Sequence, residues 1–129
     1  MMKPFLLLAL LAALATQVSA SWFGVYKPVK LNADLTSDKV MQSFEAVMKQ
    51  QGFERIPARP PTTIWEKKGG GANVRVSLAV PPGGTMAMVS LINQSGDDKG
   101  DVLSGIEEKL SQSLTDAGGA KLELQRTMN

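Results

Sequence analysis

TTIWEKKGGGANVRVSLAVPPGGTMAMVSLIN, residues 62–93, sets the fold. Three runs of strand-forming residues, Thr62 to Lys68, Asn73 to Val80 and Thr85 to Asn93, are separated by Gly69-Gly70-Gly71 and by Pro81-Pro82-Gly83-Gly84. Short glycine- and proline-rich connections between β-rich runs indicate hairpins, and hairpins pair antiparallel. In the second run Val74, Val76, Leu78 and Val80 alternate with Arg75, Ser77 and Ala79, the pattern of a strand buried on one side. The third run is apolar on both sides, with Ala87, Val89 and Leu91 on one face and Met86, Met88 and Ile92 on the other. That second face is either covered by the N-terminal arm or left open for a partner. The arm is the expected cover, because large exposed apolar patches are uncommon on monomers.

Upstream, Val40, Met41, Phe44, Val47 and Met48 fall at helical spacing, with Asp38, Lys39, Gln42, Glu45 and Lys49 opposite. Thr36 or Ser37 caps the start and Gly52 stops it. Three prolines between Pro57 and Pro61 then form a stiff connector. Downstream, a second helix begins near Asp98 or Asp101, carries Val102, Leu103, Ile106, Leu110, Leu114 and Ala117 on one side, and ends at Gly118-Gly119. The closing segment from Ala120 to Arg126 alternates, placing Leu122 and Leu124 together, and is expected to join the sheet with that side inward. Residues 21–35, interrupted by Pro28, are expected to form an edge strand or an extended arm.

The order predicts an α+β fold: a single small domain over residues 36–129 with the arm before it. Two helices are expected on one face of a four- to five-stranded antiparallel or mixed sheet. The element order is close to a ferredoxin-like plan with an extra strand, as a topological analogy that carries no function.

The first 20 residues read as a cleavable secretory signal peptide. Lys3 gives a positive start, Phe5 to Ala15 an apolar run, and Val18-Ser19-Ala20 a small-residue cleavage pattern before Ser21. The apolar run is short of the roughly 20 residues a bilayer-crossing helix needs, so no stable membrane insertion is expected after cleavage; an uncut tether is the competing possibility. A signal-less chain of 109 residues, the remainder of 129, is one domain in size. Export without any cysteine tilts the destination to a periplasm over the extracellular space.

Composition narrows the chemistry further. With no histidine and no cysteine, histidine-assisted serine catalysis, cysteine nucleophiles and imidazole or thiolate zinc sites are excluded within the chain. Paired carboxylates, a lysine-activated hydroxyl or an oxygen-bound hard metal remain. The polar loop Asn93 to Asp101 gathers three acids but lacks regular ligand alternation and holds Lys99 in its middle. Helix capping is the expected role of its acids, and no metal or cofactor is expected. Gly69-Gly70-Gly71 has neither phosphate-loop spacing nor a following helix, and is read as a hairpin tip. Glu107 and Glu108 diverge by about 100° on a helix and make a poor acid–base pair.

The 14 basic and 12 acidic side chains nearly balance, which argues against a nucleic-acid binder. The charge is nonetheless segregated: Arg55, Arg59, Lys67, Lys68 and Arg75 meet only Glu66 between positions 55 and 75, while six acids outweigh Lys99 and Lys109 between 97 and 116. These observations lead to a small exported, non-catalytic protein-binding module of the inhibitor, immunity or assembly-accessory type. A carboxylate-based enzyme or a small-ligand or metal-binding protein is the alternative. The expected binding surface is Arg59, Trp65, Lys67, Lys68 and Arg75, joined by Met86 and Met88, with Trp65 as its aromatic anchor.

Overall fold

A computed structural model describes residues 21–69 and 71–128. The expected export signal lies outside the described residues.

Alternation drives the strands. The chain runs β1 (Trp22–Tyr26), β2 (Val29–Lys30), α1 (Ser37–Gln50), β3 (Glu54–Ile56), β4 (Thr62–Gly69), β5 (Ala72–Ala79), β6 (Met86–Asn93), α2 (Gly100–Gly118) and β7 (Leu124–Met128). The strands form one sheet in the order β3-β4-β5-β6-β1-β7, with β2 also paired to β6. Every pairing is antiparallel, so the fold is α+β with two helices and a seven-stranded antiparallel sheet. The expected four to five strands become seven because two short ones, β2 and β3, lack any alternating run long enough to be legible. The ferredoxin-like analogy is limited to element order, since a split βαβ unit needs parallel strands and none occurs among the described residues.

The three hairpin strands form where the sequence places them, in register Thr63↔Leu78, Trp65↔Val76, Val76↔Leu91 and Leu78↔Val89. The N-terminal segment is a different matter. Instead of lying at an edge or over the sheet, β1 sits between β6 and β7, with Trp22 opposite Asn93 and Val25 opposite Ser90. Trp22 and Tyr26 point to the buried side and give the segment enough apolar area to hold an interior place. From Val25↔Ser90 to Val29↔Ala87 the N-terminal chain advances four residues while β6 advances three, so one residue is extra around Pro28. Proline has no amide to donate, which makes this the natural position for a break in the ladder.

Helix α1 starts as expected: Thr36 is extended at φ −79° and ψ 164°, and its Oγ1 accepts from the Lys39 amide at 3.3 Å. Gly52, at φ 80°, supplies the left-handed turn after it. Helix α2 ends on Gly119 at φ 79° and begins without a side-chain cap bond, so the loop acids do not cap it, while Asp101 lies in its first turn, where a carboxylate meets the helix dipole. Gly118 is packed so tightly on Leu35 that a Cβ there would lie 2.6 Å from the leucine Cβ.

Val40, Phe44, Val47 and Met48 of α1 and Leu103, Ile106, Leu110 and Leu114 of α2 enter one core with the buried strand residues. The Phe44 and Trp65 rings sit 6.0 Å apart and tilted by 31°. Tyr26, almost fully buried, donates its hydroxyl to Glu107 Oε2, an oxygen that also meets Lys99 Nζ at 2.6 Å. Burial first, then the bond and charge of Glu107, push the Tyr26 phenol far above its ordinary value of 10.0. At the far end Leu122 is buried ahead of β7, and its amide donates to Ser111 Oγ at 3.0 Å. Leu124, expected inward beside it, is instead 44% exposed, because the strand begins only at Leu124, beyond the coil that seats Leu122.

Candidate interaction surface

Strand alternation gives the sheet two unlike faces. On the inner face Trp22, Tyr26, Thr63, Trp65, Val74, Val76, Leu78, Ala87, Val89 and Leu91 are buried. Their neighbours point outward, and antiparallel register lines them up in rows across the strands. One row runs Phe23, Ile92, Arg75, Glu66, Glu54. The next runs Arg126, Val25, Ser90, Ser77, Ile64, Ile56. A third carries Met88, Ala79 and Thr62, and Lys30 stands opposite Met86.

Large side chains flank the middle row while its centre is made of two serines, so the outer face holds a shallow trough of about 390 Å³. Phe23, Val25, Met88 and Thr62 wall it, and Ser77, Ser90 and Ala79 form its floor. Met86 and Met88 are 45% and 48% exposed, and Phe23, Val25, Ile64 and Ile92 are partly buried. The N-terminal arm does not cover this face; it lies beside β6 within the sheet.

The expected binding residues separate between the two faces. Trp65 is 3% exposed and packs on Phe44, so it is a core residue and offers no ring to a partner. Lys67 shares its inner side and is partly buried. Lys68, Arg75, Met86 and Met88 share the outer side but not one spot: Arg75 lies opposite Ile92 and Lys68 opposite Asn73 near one end of the strands, Met88 lies opposite Ala79 and Met86 opposite Lys30 near the other, and Arg59 lies exposed in the proline connector, its carbonyl accepting from the Thr62 amide at 2.9 Å. Tryptophan is common at interfaces, but register turns Trp65 to the core. The outer aromatic is Phe23, one residue out of phase with the buried Trp22.

Much of the outer charge is internally spent. Arg75 Nε lies 2.6 Å from Glu66 Oε2 and Lys68 Nζ 3.5 Å from Glu66 Oε1. The Arg75 bond, outweighing the partial burial that opposes it, holds the Glu66 carboxyl below its ordinary value of 4.5, with Lys68 adding to the effect. Glu54 stands opposite Glu66 in register, and this like-charge neighbour gives the two cations a local purpose. Arg59, Arg126 and Lys30 make no ion pair among the described residues.

One other feature is a candidate for chemistry. The loop from Asn93 to Asp101 borders a hollow of about 220 Å³, but Asn93 itself ties the loop together. Its Nδ2 donates to the Asp98 carbonyl at 3.0 Å and its Oδ1 accepts from the Ser95 amide at 2.9 Å. No group of three carboxylates gathers there or elsewhere among the described residues. No described helix is long and apolar enough to cross a membrane.

Compared with known families and with curated proteins, the chain matches none of them.

Proposed function

We propose that this protein is an exported, non-catalytic protein-binding module of the cell envelope or secreted space, of the inhibitor, immunity or assembly-accessory type. In this reading both helices cover the inner face of the sheet and the outer face receives the partner. The observation that carries it is the open apolar outer face, with Met86 and Met88 about half exposed beside Phe23, Val25, Ile64 and Ile92. Contiguous apolar surface rimmed by polar groups marks an interaction site on a stable domain, and methionines suit one because their flexible, polarisable side chains adapt to a contact. Export rests on the leader pattern of residues 1–20, and a periplasmic destination on the absence of cysteine.

Since the chain has no cysteine, one introduced thiol gives a unique attachment point. A benzophenone photocrosslinker attached at Ser90→Cys, on the trough floor, is expected to join the protein to a discrete envelope partner. The same probe at Ser113→Cys, on α2, is expected to leave that partner unlabelled. Absence of a Ser90-dependent product in the native envelope, from a protein with unchanged circular dichroism, refutes the reading.

A further inference from the structure

The trough on the outer face runs across the strands, and this direction restricts what can fill it. Backbone amides and carbonyls of the sheet are engaged in its own ladders, so they offer nothing to a chain lying over them. An extended peptide there would press its own backbone polar groups against Phe23, Val25 and Met88 without partners, at a cost of about 1–3 kcal/mol for each unmet group. A helix satisfies its backbone internally and needs only an apolar stripe. The serines and alanine of the floor leave room for it to approach.

Charge at the two ends restricts the occupant further. Arg126 stands opposite Val25 at one end, and Arg59 is joined through the backbone to Thr62 at the other. Both are exposed and neither makes an ion pair among the described residues. Of the acids on this face, Glu66 is already held by Arg75 and Lys68, and Glu54 stands opposite it in register. A second copy of the chain would bring like-charged ends together, whereas a partner acidic at both ends would complement them. Resting on the reading of the outer face as the binding surface, we infer that the trough receives an amphipathic helix of the partner protein, apolar along one stripe and acidic at both ends. From β7 to β4 there are four strand spacings, about 19 Å at 4.8 Å each, which corresponds to a helical segment of about 13 residues at 1.5 Å per residue.

The test uses the protein expressed with its own leader and purified from the exported fraction. Its probe is a fluorescein-labelled 14-residue peptide, Glu-Glu-Leu-Leu-Gln-Ala-Leu-Leu-Gln-Ala-Leu-Leu-Glu-Glu, compared by anisotropy with the same peptide carrying Lys for each Glu. The acidic peptide is expected to bind at least tenfold more tightly. An Arg59→Glu/Arg126→Glu protein is expected to invert that preference, and a Ser90→Trp protein, with the floor filled, to bind neither peptide. Equal binding of both peptides overturns the inference, as does a preference that survives charge reversal. Binding of phosphatidylglycerol vesicles with no binding of the acidic peptide overturns it in favour of a lipid surface, and a dimer that occludes the trough overturns it in favour of self-association. A partner crosslinked from Ser90 alongside indifference to both peptides removes only the acidic helix; loss of that crosslink removes the binding module itself.

Discussion

Trp65 and Trp22 show how much one residue's phase matters. Both are tryptophans within strands, and in both the ring enters the core. Composition makes Trp65 look like an anchor beside a basic run, but the spacing Thr63, Trp65 against Val74, Val76, Leu78 assigns it to the buried side. Trp65→Ala is therefore expected to cost about 3–5 kcal/mol of stability by urea unfolding, as for large aromatic truncations in cores. A loss below about 1 kcal/mol would place the ring outside the core. Gly24 is a second such position: its missing side chain leaves the space in which the Trp22 indole lies, and an added Cβ would overlap that ring. Gly24→Ala is expected to destabilise by about 1–3 kcal/mol, the usual range for overpacking, with a matching change in near-ultraviolet tryptophan signal. Glu66 gives the pH dependence: because its carboxyl titrates lower in the folded chain than unfolded, its contribution is present above pH 4.5 and is lost as pH falls through the folded value. Glu66→Gln is expected to flatten that acid limb of the stability curve, and an unchanged limb would show that the Arg75 pair contributes nothing.

Elements were legible in proportion to their length and periodicity. The three central strands and both helices follow from runs of eight residues or more with clear apolar spacing. β3, three residues that follow the turn at Gly52, has too few positions to show alternation and is held by pairing with β4 and by the 3.1 Å contact between Arg55 and Glu45 of α1. β7 starts at Leu124 and not at Ala120, because burial of Leu122 occurs in the coil before it, where the Ser111 hydroxyl receives its amide. β1 is expected as an edge strand or an arm because Pro28 interrupts a ladder, whereas in the fold it marks only an extra residue between β1 and β2 along β6. The caps divide in the same way. Thr36 reads directly from sequence, and Thr36→Ala is expected to lower stability by about 1 kcal/mol in thermal unfolding. The same substitution at Ser37 is expected to have little effect, since Thr36 Oγ1 makes the capping bond. An equal loss at both positions would move the cap.

Across the whole molecule, the outer face was half visible in advance. Two apolar sides of β6 announce that something must meet Met86, Met88 and Ile92, but one sequence does not say whether that something is the chain's own arm. Once β1 inserts beside β6, its outward residues Phe23 and Val25 enlarge the apolar face instead of covering it. The segregated charge also acquires a location: the positive segment contributes Lys68 and Arg75 to the outer face, while the acidic one contributes Glu107 to a partly buried cluster with Tyr26 and Lys99. Neither the trough nor its serine floor could be foreseen, because both arise from side chains aligned across four strands by register. In the proposed reading this face is open in the isolated protein and covered where the protein works. Mild peroxide converts accessible methionines to sulfoxides, and the described methionines sample both faces. In the purified protein Met86 and Met88 are expected to oxidise first and the fully buried Met48 last, and in the native envelope Met86 and Met88 are expected to be protected while Met41, partly buried on α1, is unchanged. Met86 and Met88 as slow as Met48 in isolation, or oxidised equally fast in both settings, would contradict it.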